Sequence, residues 1–243
     1  MSFRADARIP TAPARELARL GPVEQLRAGR LTRRLTQLIG GLVLYGLTLA
    51  MIIRGTLGNA PWDVLHQGLA DHLPIDIGTA LIVVSFVVLL LWIPIRELPG
   101  LGTIANAVLI GLAADVFLAL IAEPDALAAR VALTVAGVAL NGLATALYIG
   151  SQLGPGPRDG LMTGLHRRTG VSVRLVRTGL EVTVVVIGFF LGGTVGPGTL
   201  LYALAIGPMV QLFLPYAIVE LAVVEVPRSE ARAQWPRNPV TDP

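Results

Sequence analysis

The chain contains no cysteine, which excludes a disulfide framework and a thiolate metal site. It contains no lysine either: all 19 basic residues are arginine. With heavy use of Ala, Gly and Pro, that bias reads as the codon usage of a GC-rich bacterial genome. Charge is scarce at 14% of residues, against roughly 25% in soluble domains. The deficit excludes a water-bathed globular surface and makes a bilayer the expected solvent. No secretory leader is expected: residues 1–34 carry Arg4, Arg8, Arg15, Arg19, Arg27, Arg30, Arg33 and Arg34 with no apolar run among them. A pI near 9.9 raises nucleic acid as a partner. The arginines, however, gather in the tails and one loop, where solvated, membrane-facing charge accounts for them, so no nucleic acid is expected.

What is present is apolar sequence, 53% of the chain. A spanning helix takes roughly 20 mostly apolar residues. Six segments qualify, at 35–53, 76–95, 101–121, 127–149, 173–192 and 198–221. A short amphipathic surface helix is expected within 14–34, and a disordered tail over 225–243. With the N-terminus inside, Arg96, Arg158, Arg167, Arg168 and Arg174 fall on the inner side with Arg228, Arg232 and Arg237. Only Arg54 and Arg130 fall outside, which predicts cytoplasmic N- and C-termini in a bacterial inner membrane.

The chain also repeats. A gapless shift of 96 residues lays Arg34–Leu118 on Arg130–Leu214, with about a quarter of positions identical. The matches gather at Gly41/Gly137, Gly46/Gly142, Gly58/Gly154, Pro61/Pro157, Asp63/Asp159, Gly68/Gly164 and Thr103/Thr199. Shared greasiness would instead scatter them over Leu, Val and Ala. Three spans per copy is an odd number, so the second copy is expected upside down, about an axis in the membrane plane. The expected fold is therefore all-α and polytopic, with six transmembrane helices as two inverted three-helix repeats, 35–122 and 127–222. Many transporters place their sites at such a repeat interface.

Each copy interrupts itself once, with "LGNAPWDVL" and "LGPGPRDGL". Gly and Pro end a helix, while Pro is favoured in the first turn of the next and Asp suits its positive end. The motifs therefore predict short helices from Pro61 to about His72 and from Pro157 to about Thr169, too short to span. Two readings stand: an interfacial helix with Asp as its cap, or a re-entrant helix whose start points to the midplane. In the second, Gly58, Pro61, Trp62, Asp63, Gly154, Pro157, Arg158 and Asp159 converge on a polar solute, with Arg158 a partner for carboxylate or phosphate. Asn106 joins this set, and Asp63, Asp159, Glu181 and Asp115 are candidate ion-coupling carboxylates. Glu181 has a simpler reading as the ion-pair partner of Arg177, and Asp115 as a snorkelling side chain. His66, His72 and His166 lack ligand spacing and read as helix-surface residues. The spaced glycines read as helix-packing points. No metal or cofactor motif is present, and nothing argues for an enzyme.

The segments "LGNAPWDVLHQGLA", "ELPGLGTIANAVLIG", "LYIGSQLGPGPRDGLMTGL" and "GGTVGPGTLLYALAIGP" resemble the bacterial YczE-type integral membrane proteins of the broader YczE/YyaS/YitT family. The resemblance spans about residues 31–220, and "LGPGPRDGLM" is its most specific piece. It implies a multi-pass inner-membrane protein of a class often read as transporters, and it supplies no substrate and no catalytic residue. The expected function is a secondary transporter or permease for a small polar solute, anions included. The alternative is a non-transporting scaffold or assembly factor acting through its Arg-rich cytoplasmic surface. A channel would need a longer polar lining than the spans offer. Whether the chain works alone, as a homo-oligomer or beside a membrane partner is left open.

Overall fold

A computed structural model describes residues 17 and 20–221. Arg4, Arg8, Arg15, Arg19 and the expected tail 225–243 lie outside the described residues. Among the described residues there are ten helices and no strand. They are α1 (Pro22–Arg27), α2 (Leu31–Gly55), α3 (Pro61–His72), α4 (Ile77–Leu90), α5 (Trp92–Ile95), α6 (Leu101–Leu120), α7 (Leu127–Gly150), α8 (Pro157–Thr169), α9 (Val173–Phe190) and α10 (Pro197–Ala217).

Five of these are long and apolar enough to cross a membrane: α2, α4 continued through α5, α6, α7 and α10. The fifth expected span, 173–192, is helical as α9, but its 18 residues include Arg174, Arg177 and Glu181. By composition it does not join the five. The outward faces are apolar: Leu120 is 72% exposed, Leu204 68% and Phe190 81%. Such breadth of uncovered hydrocarbon is what lipid, not water, covers.

Among the described residues of the expected range 14–34 the structure has one short helix, α1. α1 spans only six residues and ends at Gly29 and Arg30, both at positive φ. Arg34 is corrected. Rather than a solvated tail charge it is fully buried, because its guanidinium donates to the carbonyls of Gln25, Ser151 and Gln152. It thereby satisfies backbone acceptors that the end of α7 leaves open.

Contacts recur at the 96-residue offset with partners exchanged. The Gly198 amide donates to the Leu57 carbonyl and the Gly102 amide to the Leu153 carbonyl, each at 2.7 Å. Gly41 lies on Ala144, Leu147 and Tyr148, while Gly137 lies on Thr48, Met51 and Ile52. Gly188 of α9 rests on Val64 and Leu65 of α3, and Trp92 on Gly160 of α8. The short helix from one half of the sequence thus packs on a long helix of the other. α2 and α7 form the central crossing between these pairs.

Helices α3 and α8 start at the prolines of the two motifs. Each is led in by one residue of extended backbone, Ala60 or Gly156. With 12 and 13 residues they run about 18–20 Å, short of the roughly 30 Å hydrocarbon core. The chain reaches them through matching turns. Thr56 and Gln152 sit at φ 53° and 57°, Gly58 and Gly154 at φ 108° and 118°.

Candidate functional site

The starts of α3 and α8 open on one cavity of about 330 Å³. Pro61 and Trp62 reach it from α3, Arg158 and Asp159 from α8, and Asn106 from α6. Tyr45, Tyr148 and Tyr202 complete its polar wall, while Ile149, Ile206 and Val210 supply an apolar one. Arg177 and Glu181 of α9 close another side, joined to each other at 2.8 Å. Glu181 is therefore both the ion-pair partner of Arg177 and a cavity residue.

Arg158 is held by aromatic faces. Its guanidinium carbon lies 5.5 Å from the Trp62 ring centre and 6.0 Å from that of Tyr45, within cation–π range. It also donates to the Tyr45 hydroxyl at 3.2 Å. From there a relay runs inward. The Tyr45 and Tyr202 hydroxyls lie 3.4 Å apart, and Tyr202 donates to Asn141 Oδ1 at 3.0 Å. Asn141 donates to Thr48 Oγ1 at 2.8 Å, which in turn donates to the Tyr45 carbonyl. Since Tyr45 accepts from Arg158 and Tyr202 spends its proton on Asn141, Tyr45 must donate to Tyr202. Every proton in the relay has one direction.

The two motif carboxylates behave differently, and neither caps its own helix. Asp159 borders the cavity and accepts a hydrogen bond from the Tyr148 hydroxyl. Asp63 is 3% exposed and turns away from the cavity to His66, whose Nδ1 lies 3.0 Å from Asp63 Oδ1. The surface reading of His66 is corrected: it is 1% exposed, drawn inward by that carboxylate. Beside it Asn59 donates to Gln67 Oε1 at 2.6 Å, which also accepts from the Thr194 amide.

Gly58, Gly154 and Pro157 shape the entry without lining the cavity. The Pro157 carbonyl accepts from Trp92 Nε1 at 3.0 Å. The arginines of "HRRTG" are engaged within the chain. Arg167 pairs with Glu97, and Arg168 donates to the Pro94 carbonyl.

The family of unknown function DUF6198 matches residues 32–215. The chain belongs to this family. Among relatives of this DUF6198 chain, an "Uncharacterized protein" of Haemophilus influenzae is 42% identical, over 73% of the chain and 81% of the relative. The "Uncharacterized membrane protein YczE" of Bacillus subtilis is 32% identical, over 77% and 88%. The "Uncharacterized protein YyaS" of the same organism is 25% identical, over 72% and 89%. No solved structure matches. The DUF6198 chain is thus a YczE-type, multi-pass membrane protein.

Asp115 stands apart from the cavity in this family member. It borders a separate recess with Arg54 and Asp76, and its Oδ1 accepts from the Gly78 amide at 2.7 Å. Gly78 belongs to the first turn of α4, so Asp115 completes from a neighbouring helix a cap that Asp76 does not provide. Asp115→Ala is expected to lower stability by about 1 kcal/mol with solute binding unchanged. Thermal unfolding in detergent alongside a binding titration checks both halves of that expectation.

Three of the chain's four tyrosines line the cavity. Sequence reasoning missed them as a group, although the offset pairs Tyr45 with Asn141 and Tyr202 with Asn106. Polar residues at both members of a pair within apolar spans were the available signal.

Proposed function

We propose that the protein is a secondary permease for a small polar solute bearing an anionic group, bound between two inverted halves. The halves are 35–122 and 127–222, with α9 as a sixth, polar-faced span and both termini cytoplasmic in an inner membrane. The exchanged contacts support the inversion, because a two-fold axis turns every contact from i to j into one from j to i. The observation that carries the reading is one cavity touched by the starts of both short helices, with Arg158 in its wall. Helix starts leave amide donors without partners in their own helix and favour negative charge. Discontinuous helices meeting at a repeat interface are how several transporter folds hold solutes.

Its carboxylates serve coupling: Asp159 in the wall, Asp63 behind it with His66, and Glu181 across from them. Uptake into proteoliposomes, scanned with radiolabelled small carboxylic and amino acids, is the test. Asp159→Asn is expected to cut uptake at least about tenfold, and Asp63→Asn to cut it as well. Uptake indifferent to both substitutions overturns the permease reading.

A further inference from the structure

The cavity's charges do not suit a simple anion. Arg177 and Glu181 neutralise each other at 2.8 Å. That leaves one positive group, Arg158, and one negative group, Asp159, facing the same space. The sum is zero, so a monoanion would bring unbalanced charge into largely apolar surroundings, which is costly. Asp63, buried beside His66 and outside the lining, adds no positive charge to offset it.

Yet Arg158 and Asp159 are not spent on each other. Among the described residues, Arg158 has no carboxylate within ion-pair distance. Its one hydrogen bond goes to Tyr45, and the Trp62 and Tyr45 rings hold its plane. The rest of its planar donor fork is available to a carboxylate. Asp159 accepts at Oδ2 from Tyr148, which leaves Oδ1 as an acceptor for an ammonium group. The two groups stand in the first turn of α8 and both line the one cavity, which brings them within reach of one small molecule. Ile149, Ile206 and Val210 line the same cavity.

We infer that the cavity binds a zwitterion of amino-acid size, its carboxylate on Arg158, its ammonium on Asp159 and an uncharged side chain against the apolar wall. The volume, about 330 Å³, lies at the small end for ligand pockets, which suits a solute of this size. The inference builds on the permease reading for its site but does not need the solute to be moved.

The test uses the full-length protein in lipid nanodiscs and tryptophan fluorescence, since Trp62 lines the cavity. The probes are leucine, phenylalanine and methionine, each beside its deaminated acid and its decarboxylated amine. At least one amino acid is expected to bind saturably and at least about tenfold more tightly than both of its analogues. In Asp159→Asn that amino acid and its deaminated acid are expected to bind alike. An acid analogue binding the unaltered protein as tightly as its amino acid overturns the inference, as does binding by none of the three amino acids. The matched analogues keep the test on the unaltered protein should a variant fold poorly. A zwitterion that binds yet never crosses vesicles overturns the permease reading alone. Uptake of a monoanion with no zwitterion bound overturns this inference alone.

Discussion

An Arg158→Lys variant is expected to keep its fold and lose roughly 100-fold in solute binding and uptake, the worth of one charge-assisted pair of hydrogen bonds. The charge survives the exchange, so a site needing only a positive charge would be nearly indifferent to it. What lysine lacks is a planar fork that lies between the Trp62 and Tyr45 rings and still presents two parallel donors. Lysine is also strongly hydrated, and the aromatic walls offer it little in return for its water. Trp62→Ala is expected to give a smaller loss in the same direction, since the cation–π contact positions the guanidinium without touching the solute carboxylate. Binding titrations on both variants, with thermal unfolding as the fold control, check the order. Equal binding by the protein and Arg158→Lys would mean that the site uses only the positive charge at this position and not the planar fork.

Gly58→Ala is expected to destabilise the protein more than any substitution in the cavity, by about 2–6 kcal/mol. Two costs add. The backbone at φ 108° strains any side chain, and a Cβ there would overlap the Gly196 backbone and meet Thr199 Oγ1 at 2.7 Å. That loop cannot retreat, because the Leu57 carbonyl beside it accepts the Gly198 amide. Gly179→Ala is the control: nothing lies within 4 Å of its Cβ position, and alanine favours a helix interior. Size-exclusion profiles and unfolding temperatures should separate the two clearly. A Gly58→Ala protein as stable as Gly179→Ala would mean that the two loops do not interlock.

Much of the helical layout was legible because its signals are local. Proline at a helix start and glycine before it act over a few residues, which is why α3 and α8 begin at Pro61 and Pro157. The breaks themselves also follow from backbone rules, with Thr56 and Gln152 in matching left-handed turns. Burial of polar side chains was not legible, because their partners are distant. Arg34 looks like one more tail arginine until Ser151 and Gln152, more than a hundred positions on, supply its acceptors. His66 has a partner only three positions away, but Asp63 was already assigned to solute. Of two residues on one helix turn, sequence cannot say which way the carboxylate swings. The cavity shows the same division: Trp62, Arg158, Asp159 and Asn106 belong to motifs or offset pairs, whereas Tyr148 faces Asp159 only because α7 crosses α8. α9 reads as a span because its apolar residues outnumber its three charges, and the pairing of Glu181 with Arg177 was legible from their spacing, but not that both border the cavity.

The exchange of short helices between the halves has a consequence for biosynthesis. As the polypeptide leaves the ribosome, α3 is complete long before α9, the surface it rests on, has been made. Its flank with Val64 and Leu65 therefore lacks that cover through the synthesis of α4 to α8. That flank gains its cover only once the last third of the chain has been made, whereas the face of α3 on α4 is covered early.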